Sequence, residues 1–332
     1  MKRRTTLADV ASAAGVSKMT ASRALRDAGD VSSSSLIKVK QAANDIGYVG
    51  NHLATSLSSQ RSALIGVVVP GLANIVFAEV LSGIAEAIDG SGIQPVFGVT
   101  DYDPDREYEV IRNMLSWNPA GLIVTGLDQP HSTSRLLNQT DIPVVQIMDL
   151  DGTPVDSCVG LSHRAAGQSM AEALMAAGRK SFGYVGCGLD TDTRATKRFS
   201  GFSLALEANG LGFIDTQIIE GLTTTRAGRD LTAQILSNHP ELDCIYYSND
   251  DLAAGGAYHC VAAGVAVPDR LALAGFNGLE FVESLPVRIS TSRTPRREIG
   301  RVAVEIILGA DRGMGKAERR RVEFFPRIEL GL

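Results

Sequence analysis

The chain has 332 residues, 44% of them hydrophobic and 21% charged, with a mean hydropathy of +0.06. That length supports a large core and more than one domain, and the composition excludes a disordered or low-complexity protein. No apolar run reaches a membrane-spanning length and the N-terminal MKRRTTLADVAS holds no apolar signal segment, so a cytoplasmic protein with no membrane partner is expected.

The net charge of −5 conceals a division. Residues 1–60 carry eight Lys and Arg against four Asp, a local +4 that leaves −9 on the remainder. A basic head on an acidic body suits a polyanion-binding module attached to a regulatory domain. Cys158, Cys187, Cys244 and Cys260 are widely spaced with no Cys-x-x-Cys pair. They read as buried structural thiols rather than metal ligands or disulfides, and neither metal nor cofactor is expected.

In the head, TLADVASAAGVSKMTASRALRDAGDVSSSSLIKVKQAANDIGY, Thr5 or Thr6 caps a first helix that keeps Leu7, Val10, Ala11 and Ala14 on one side. Gly15 turns the chain. Ser17 caps a second helix from Lys18 to about Leu25, with Ala21, Ala24 and Leu25 inward and Val16 in the corner. A third helix is predicted after the serine run 32–35, burying Ile37, Val39, Ala42, Ala43 and Ile46 before Gly47 ends it. Two short helices about a glycine turn, backed by a third, make a helix-turn-helix. Its second helix would enter the major groove of double-stranded DNA. There Arg23 suits guanine O6 and N7, Lys18 suits base or backbone, Met19 suits a thymine methyl, and Ser17, Thr20 and Ser22 suit phosphate.

The pattern carried by Thr6, Leu7, Asp9, Val10, Ala11, Ala14, Gly15, Val16, Ser17, Thr20, Ser22, Arg23 and Leu25 resembles the DNA-binding segment of the LacI/GalR family of transcription regulators. The resemblance extends along the whole chain. It implies a helix-turn-helix over residues 1–48 in which Thr6 joins the DNA contacts and Lys18, Met19 and Arg23 read bases. It also implies a linker over 49–62 that orders into a hinge helix, pairs with a dimer mate and inserts a leucine into the minor groove. Asn51, Ala54 and Leu57 match that segment, with Leu57 as the wedge. Gly50 stands where proline is usual and Thr55 where arginine is usual, which removes a fixed φ and a phosphate contact and predicts a weaker hinge.

From residue 63 to 332, apolar runs alternate with helical stretches: 64–69, 95–99, 121–125 and 142–147, then 182–186, 244–248 and 271–276. Two successive sets of such strands predict two parallel-sheet lobes with helices on both faces. Ligands bind beyond the carboxyl ends of parallel strands, so the loops there are the candidates. The family resemblance implies a periplasmic-binding-protein-like body of two lobes joined by three crossovers, with the effector in the cleft and dimerisation through the body. Its effector contacts fall on Asn74, Phe77, Thr100, Thr125, Asp149, Arg194, Arg198, Asn249 and Asn277, with Arg198 as the clamp. No heptad tail follows the body, which predicts a homodimer rather than a tetramer.

Sugar-binding members commonly have aspartate where Asn277 stands, while Arg194, Lys197 and Arg198 crowd the opposite side. That balance predicts a ligand with its own carboxylate, which arginine holds through two parallel bonds. VFAEVLSGI at 76–84 and SWNPAGLIVT at 116–125 resemble the gluconate-utilisation repressor branch, which predicts a sugar-acid effector and a repressor released by it. A neutral or phosphorylated sugar, or a co-repressor, is the alternative. Gly186-Cys187-Gly188 lacks the third glycine of a dinucleotide loop, and no nucleophile elbow, zinc helix or P-loop occurs, so no catalysis is expected. A periplasmic sugar receptor would account for the body but not for the head.

Overall fold

A computed structural model describes residues 3, 5–25, 31–49, 62–72, 75–188, 192–219, 221, 223–311 and 319–332. They fall into two units, Met1–Ser62 and Ala63–Leu332. The linker candidates Asn51, Ala54 and Leu57, the departures Gly50 and Thr55, and the cleft candidate Asn74 lie outside the described residues.

In the first unit Thr6 caps α1 (Leu7–Ala14) through a capping box with Asp9, and Gly15 at φ 66° ends it. Ser17 Oγ accepts the Thr20 N–H at 3.0 Å and so opens α2 (Lys18–Leu25). Ser32 caps α3 (Ser33–Asp45), which therefore begins inside the serine run rather than after it. Val10, Ala11, Ala21, Ala24, Val39 and Ala43 form the core of this unit, with Leu36 and Ile46 packed against it. Ile37 is 68% exposed, contrary to expectation. The stripe that α3 turns inward runs 36, 39, 43, 46, and Ile37 stands about 140° round the helix from its centre.

In the second unit, lobe 1 is a six-stranded sheet made of β1 (Ser62–Val69), β2 (Gln94–Val99), β3 (Pro119–Thr125), β4 (Val144–Ile147), β5 (Ser157–Gly160) and β11 (Arg321–Glu323). They lie in the order β11-β5-β4-β3-β1-β2. Alternate residues of β1 go to opposite faces. Ile65, Val67 and Val69 meet α4 (Ile75–Ile88) and α11 (Arg296–Asp311), whereas Val68 meets Ile111 and Met114 of α5 (Pro104–Leu115) and Leu137 of α6 (His131–Asn138).

Lobe 2 repeats the scheme with β6 (Phe182–Cys187), β7 (Phe213–Ile219), β8 (Cys244–Tyr247) and β9 (Ala272–Ala274), in the order β7-β6-β8-β9. Phe182, Tyr184, Cys244 and Tyr246 pack on α7 (His163–Ala176) and α8 (Thr193–Ala208). Val185, Ile245 and Tyr247 pack on α9 (Thr225–Asn238) and α10 (Asp250–Ala263). The pairs β1–β2, β3–β4, β4–β5 and β5–β11 of lobe 1, and β6–β7, β6–β8 and β8–β9 of lobe 2, are all parallel.

Three crossovers join the lobes: β5 into α7, β9 through β10 (Thr291–Arg293) into α11, and β11 into β12 (Arg327–Glu329). β10 and β12 pair as an antiparallel ribbon. Arg293 Nε and Nη2 donate to the two Glu329 carboxylate oxygens at 2.9 and 3.0 Å, a bidentate pair. Arg293 first, and Arg327 with it, hold Glu329 down to about 2 although burial opposes them.

Candidate functional site

The head candidates occupy one end of α2. Lys18, Met19 and Arg23 are exposed and Met19 is 70% so, while the intervening Ala21 and the following Ala24 are fully buried. The helix thus offers a long cation, a thioether and a guanidinium on its outer side. Ser17 and Thr20 are exposed or half-buried, but their hydroxyls are 2.9 Å apart and Ser17 is also the cap, so both already serve the helix start. Thr6 donates its hydroxyl to Asp9 Oδ2 at 2.7 Å, and Asp9 takes Arg3 Nη2 at 2.5 Å. Ser22 is half-buried beside Arg23.

The cleft is built where the strands of both lobes end. Arg198, on the inward face of α8, donates Nη1 to His163 Nδ1 at 2.9 Å and Nη2 to the Ser248 carbonyl at 2.9 Å. Its guanidinium carbon lies 4.1 Å from the Phe276 ring centroid. His163 Nε2 lies 2.7 Å from the Met148 carbonyl, which only accepts, so Nε2 carries the proton and Nδ1 is the acceptor for Arg198. Burial first, and then Arg198 and Arg194, hold the imidazole well below its usual pKa and therefore neutral.

Lys197, next along α8, crosses to lobe 1. Its Nζ bonds Asp128 Oδ2 at 2.6 Å and Asp149 Oδ2 at 2.5 Å. Burial works against the ammonium, but the two carboxylates outweigh it and raise its pKa. Arg194 lies against Gly126, where an added Cβ would meet its Nη1 at 3.4 Å. Burial opposes its charge, and Asp192, Tyr102, Asp149 and Asp128 more than compensate. Asp192 caps α8 through the Ala195 N–H at 3.1 Å; burial raises it, and Arg194 and Arg198 bring it below the usual range. The crowd of three cations is thus less positive than the sequence suggests: Lys197 is paired, Arg194 faces carboxylates, and the Arg198 bonds go to neutral atoms.

The remaining candidates divide. Thr100 and Thr125 sit at strand ends, 3% and 5% exposed, but the Thr125 hydroxyl is spent on the Val68 carbonyl at 3.0 Å. Asn249 caps α10 through the Leu252 N–H at 3.0 Å and gives Nδ2 to Thr223 at 2.9 Å. Phe77, expected as a wall, is 2% exposed and belongs to the lobe 1 core, because it lies on the inward stripe of α4 with Val76, Val80 and Ile84. Asn277 is buried beside Phe276 with φ 119°. Asp101, Tyr102, Met148 and Asn277 are four of the five non-glycine residues with positive φ among the described residues, and all four adjoin these strand ends. Non-glycine residues are uncommon in that region, and here they gather where the strands end.

Sequence reasoning passed over His163, Asp128 and Glu107. His163 is the first residue of a helix and Asp128 sits in a loop, with no local pattern to distinguish either. Glu107 had a signal: an acidic residue on the stripe that α5 buries through Ile111 and Met114. A separate cavity of about 300 Å³ beside the crossovers, lined by Ser162, Ala165, Ser169, Ser292, Phe325 and Pro326 among others, contains none of the charged cleft residues.

Residues 6–51 match the family described as bacterial regulatory proteins, lacI family, and residues 62–321 match periplasmic binding proteins and sugar binding domain of LacI family. The HTH-type transcriptional regulator GntR of Pseudomonas aeruginosa is 39% identical over 306 residues, 92% of this chain and 89% of that one. A crystal structure of a LacI-family transcriptional regulator from Silicibacter pomeroyi superposes with a TM-score of 0.93 at 43% identity, covering 98% of each chain. The lac repressor dimer bound to operator and the anti-inducer ONPF shares the fold, with a TM-score of 0.86 at 23% identity over 99% of this chain and 100% of that one. With its head and its body each matched in this way, the chain belongs to the LacI family of bacterial transcriptional regulators.

Proposed function

We propose that this DNA-binding regulator is a repressor of carbohydrate or sugar-acid catabolic genes, released from its operator when a gluconate-type acid enters the cleft between the lobes. In this reading residues 1–48 contact operator DNA through Lys18, Met19 and Arg23, residues 49–62 are the linker, and residues 63–332 bind the effector and form a homodimer. The protein works in the cytoplasm and catalyses no reaction. Arg198 carries the assignment of an acid: a buried guanidinium whose bonds go to His163 and a carbonyl suits a ligand carboxylate as its counter-charge. A neutral sugar is the second reading, favoured by the pairing of Lys197 with two carboxylates.

The test is retention of a fluorescent fragment of the regulated promoter, titrated with gluconate and, separately, with glucose. Gluconate is expected to weaken retention by roughly 5- to 150-fold, the usual range of coupling between two sites. Unchanged retention in gluconate removes the acid, and tighter retention reverses the direction to co-repression.

A further inference from the structure

One cleft carboxyl differs from the paired ones. Glu107 lies one turn before Ile111 on the buried stripe of α5, in the first turn of the helix that follows β2. The Arg194 guanidinium of lobe 2 is the cation whose charge acts on it, and Tyr102, Asp149 and Asp128 act on the same guanidinium. This puts Glu107 within electrostatic reach of lobe 2. Its Oε1 is buried with no hydrogen-bond partner among the described residues. A polar atom in that condition is costly unless something bonds it. Asp149 and Asp192, by contrast, have their bonds within the protein.

We propose that Glu107 is a specificity-determining residue: as a neutral carboxylic acid it donates a hydrogen bond to the carboxylate of an acidic effector held beside Arg194, so that every molecule in which Glu107 starts ionised takes up a proton on binding. This rests on the sugar-acid reading above. A carboxylic acid beside a guanidinium presents donors toward an anion, whereas an ionised Glu107 repels it. Burial, opposed by Arg194, pushes Glu107 up to about 7, so both forms exist at neutral pH and a bound anion selects the acid.

Besides Glu107, α5 carries Asp105, Arg106, Glu109 and Arg112, the last two paired at 2.6 Å. On its own side, Asp103 caps the Asp105 and Arg106 N–H groups, and Arg106 pairs with Asp101. Of the elements packed against α5, β2 carries no titratable side chain and α6 carries His131 and Arg135.

Titration calorimetry with gluconate, galactonate and 2-ketogluconate, run at pH 7 in buffers of different ionisation enthalpy, counts the protons. The wild type is expected to take up about half a proton at pH 7 and to bind about eightfold more weakly at pH 8 than at pH 6.5, as linkage to a group titrating near 7 requires. Glu107→Gln keeps a donor but does not titrate, so it binds without that proton and equally at both pH values. His131→Gln keeps the wild-type proton count. Proton uptake absent from the wild type, or retained by Glu107→Gln, overturns the role of Glu107 and leaves the sugar-acid reading standing. Absence of binding by all three acids overturns both.

Discussion

A guanidinium fixed by His163 at 2.9 Å, by the Ser248 carbonyl at 2.9 Å and by the face of Phe276 has little freedom left to reorient. Lysine at position 198 would keep the charge but not the planar fork. Arg198→Lys is therefore expected to leave His163 Nδ1 or the Ser248 carbonyl unsatisfied in a buried site. The cost is about 1–3 kcal/mol of stability, read by urea unfolding. On the acid reading proposed above, gluconate affinity should fall about 10- to 100-fold by calorimetry, since the bidentate pair that reading assigns to Arg198 would be lost. Wild-type affinity in this variant would mean that the ligand does not engage Arg198. The arginine was legible in the sequence through the family resemblance, which makes it the clamp. Its partner was not, because the link from His163 to Arg198 spans 35 residues and arises only when α7 and α8 pack.

That packing depends on glycines used in reciprocal pairs. A Cβ on Gly167 would strike the Arg198 carbonyl oxygen, and one on Gly201 would strike the Arg164 carbonyl oxygen, so α7 and α8 touch through their backbones. α4 and α11 do the same through Gly83 and Gly300, and α9 and α10 through Gly228 and Gly255. Backbone cannot rotate away as a side chain can. Gly167→Ala is expected to push α8 outward at Arg198, destabilising by about 1–3 kcal/mol and weakening binding of the proposed acid together with it. Gly309, inside α11, has nothing within 4 Å of an added Cβ. Gly309→Ala should stabilise by about 0.5–1 kcal/mol through helix propensity alone. Denaturant melts of the two variants test the contrast in sign, and equal effects would refute the close approach. The strands show a matching limit of legibility. Continuous apolar runs such as β1 and β3 declare themselves, whereas β7, at a sheet edge, only half-buries alternate residues and exposes Ile214 and Ile218, and β11 and β12 are three-residue charged segments, so neither periodicity nor run length announces them.

Across the body, the two lobes follow from two successive sets of apolar strands, but what ties them across the cleft does not. Lys197 lies 69 residues from Asp128 and 48 from Asp149, and no pattern in the chain pairs them. Asp149 is fully buried and Lys197 12% exposed, so this bridge sits in a medium of low polarity where loss of one partner strands the other. Breaking such a pair typically costs about 3–5 kcal/mol. The lobes have a way to avoid that cost, because separating them returns Asp149 to water. Lys197→Met, which preserves the apolar stem and removes only the charge, is therefore expected to open the effector-free protein and increase its radius of gyration in small-angle scattering. Its melting temperature should fall as well. Adding Asp149→Asn removes the stranded charge and should restore the wild-type scattering curve, because a neutral amide no longer drives the lobes apart. If the single variant scatters and melts as the wild type does, the bridge is incidental and closure of the body rests on the three crossovers alone.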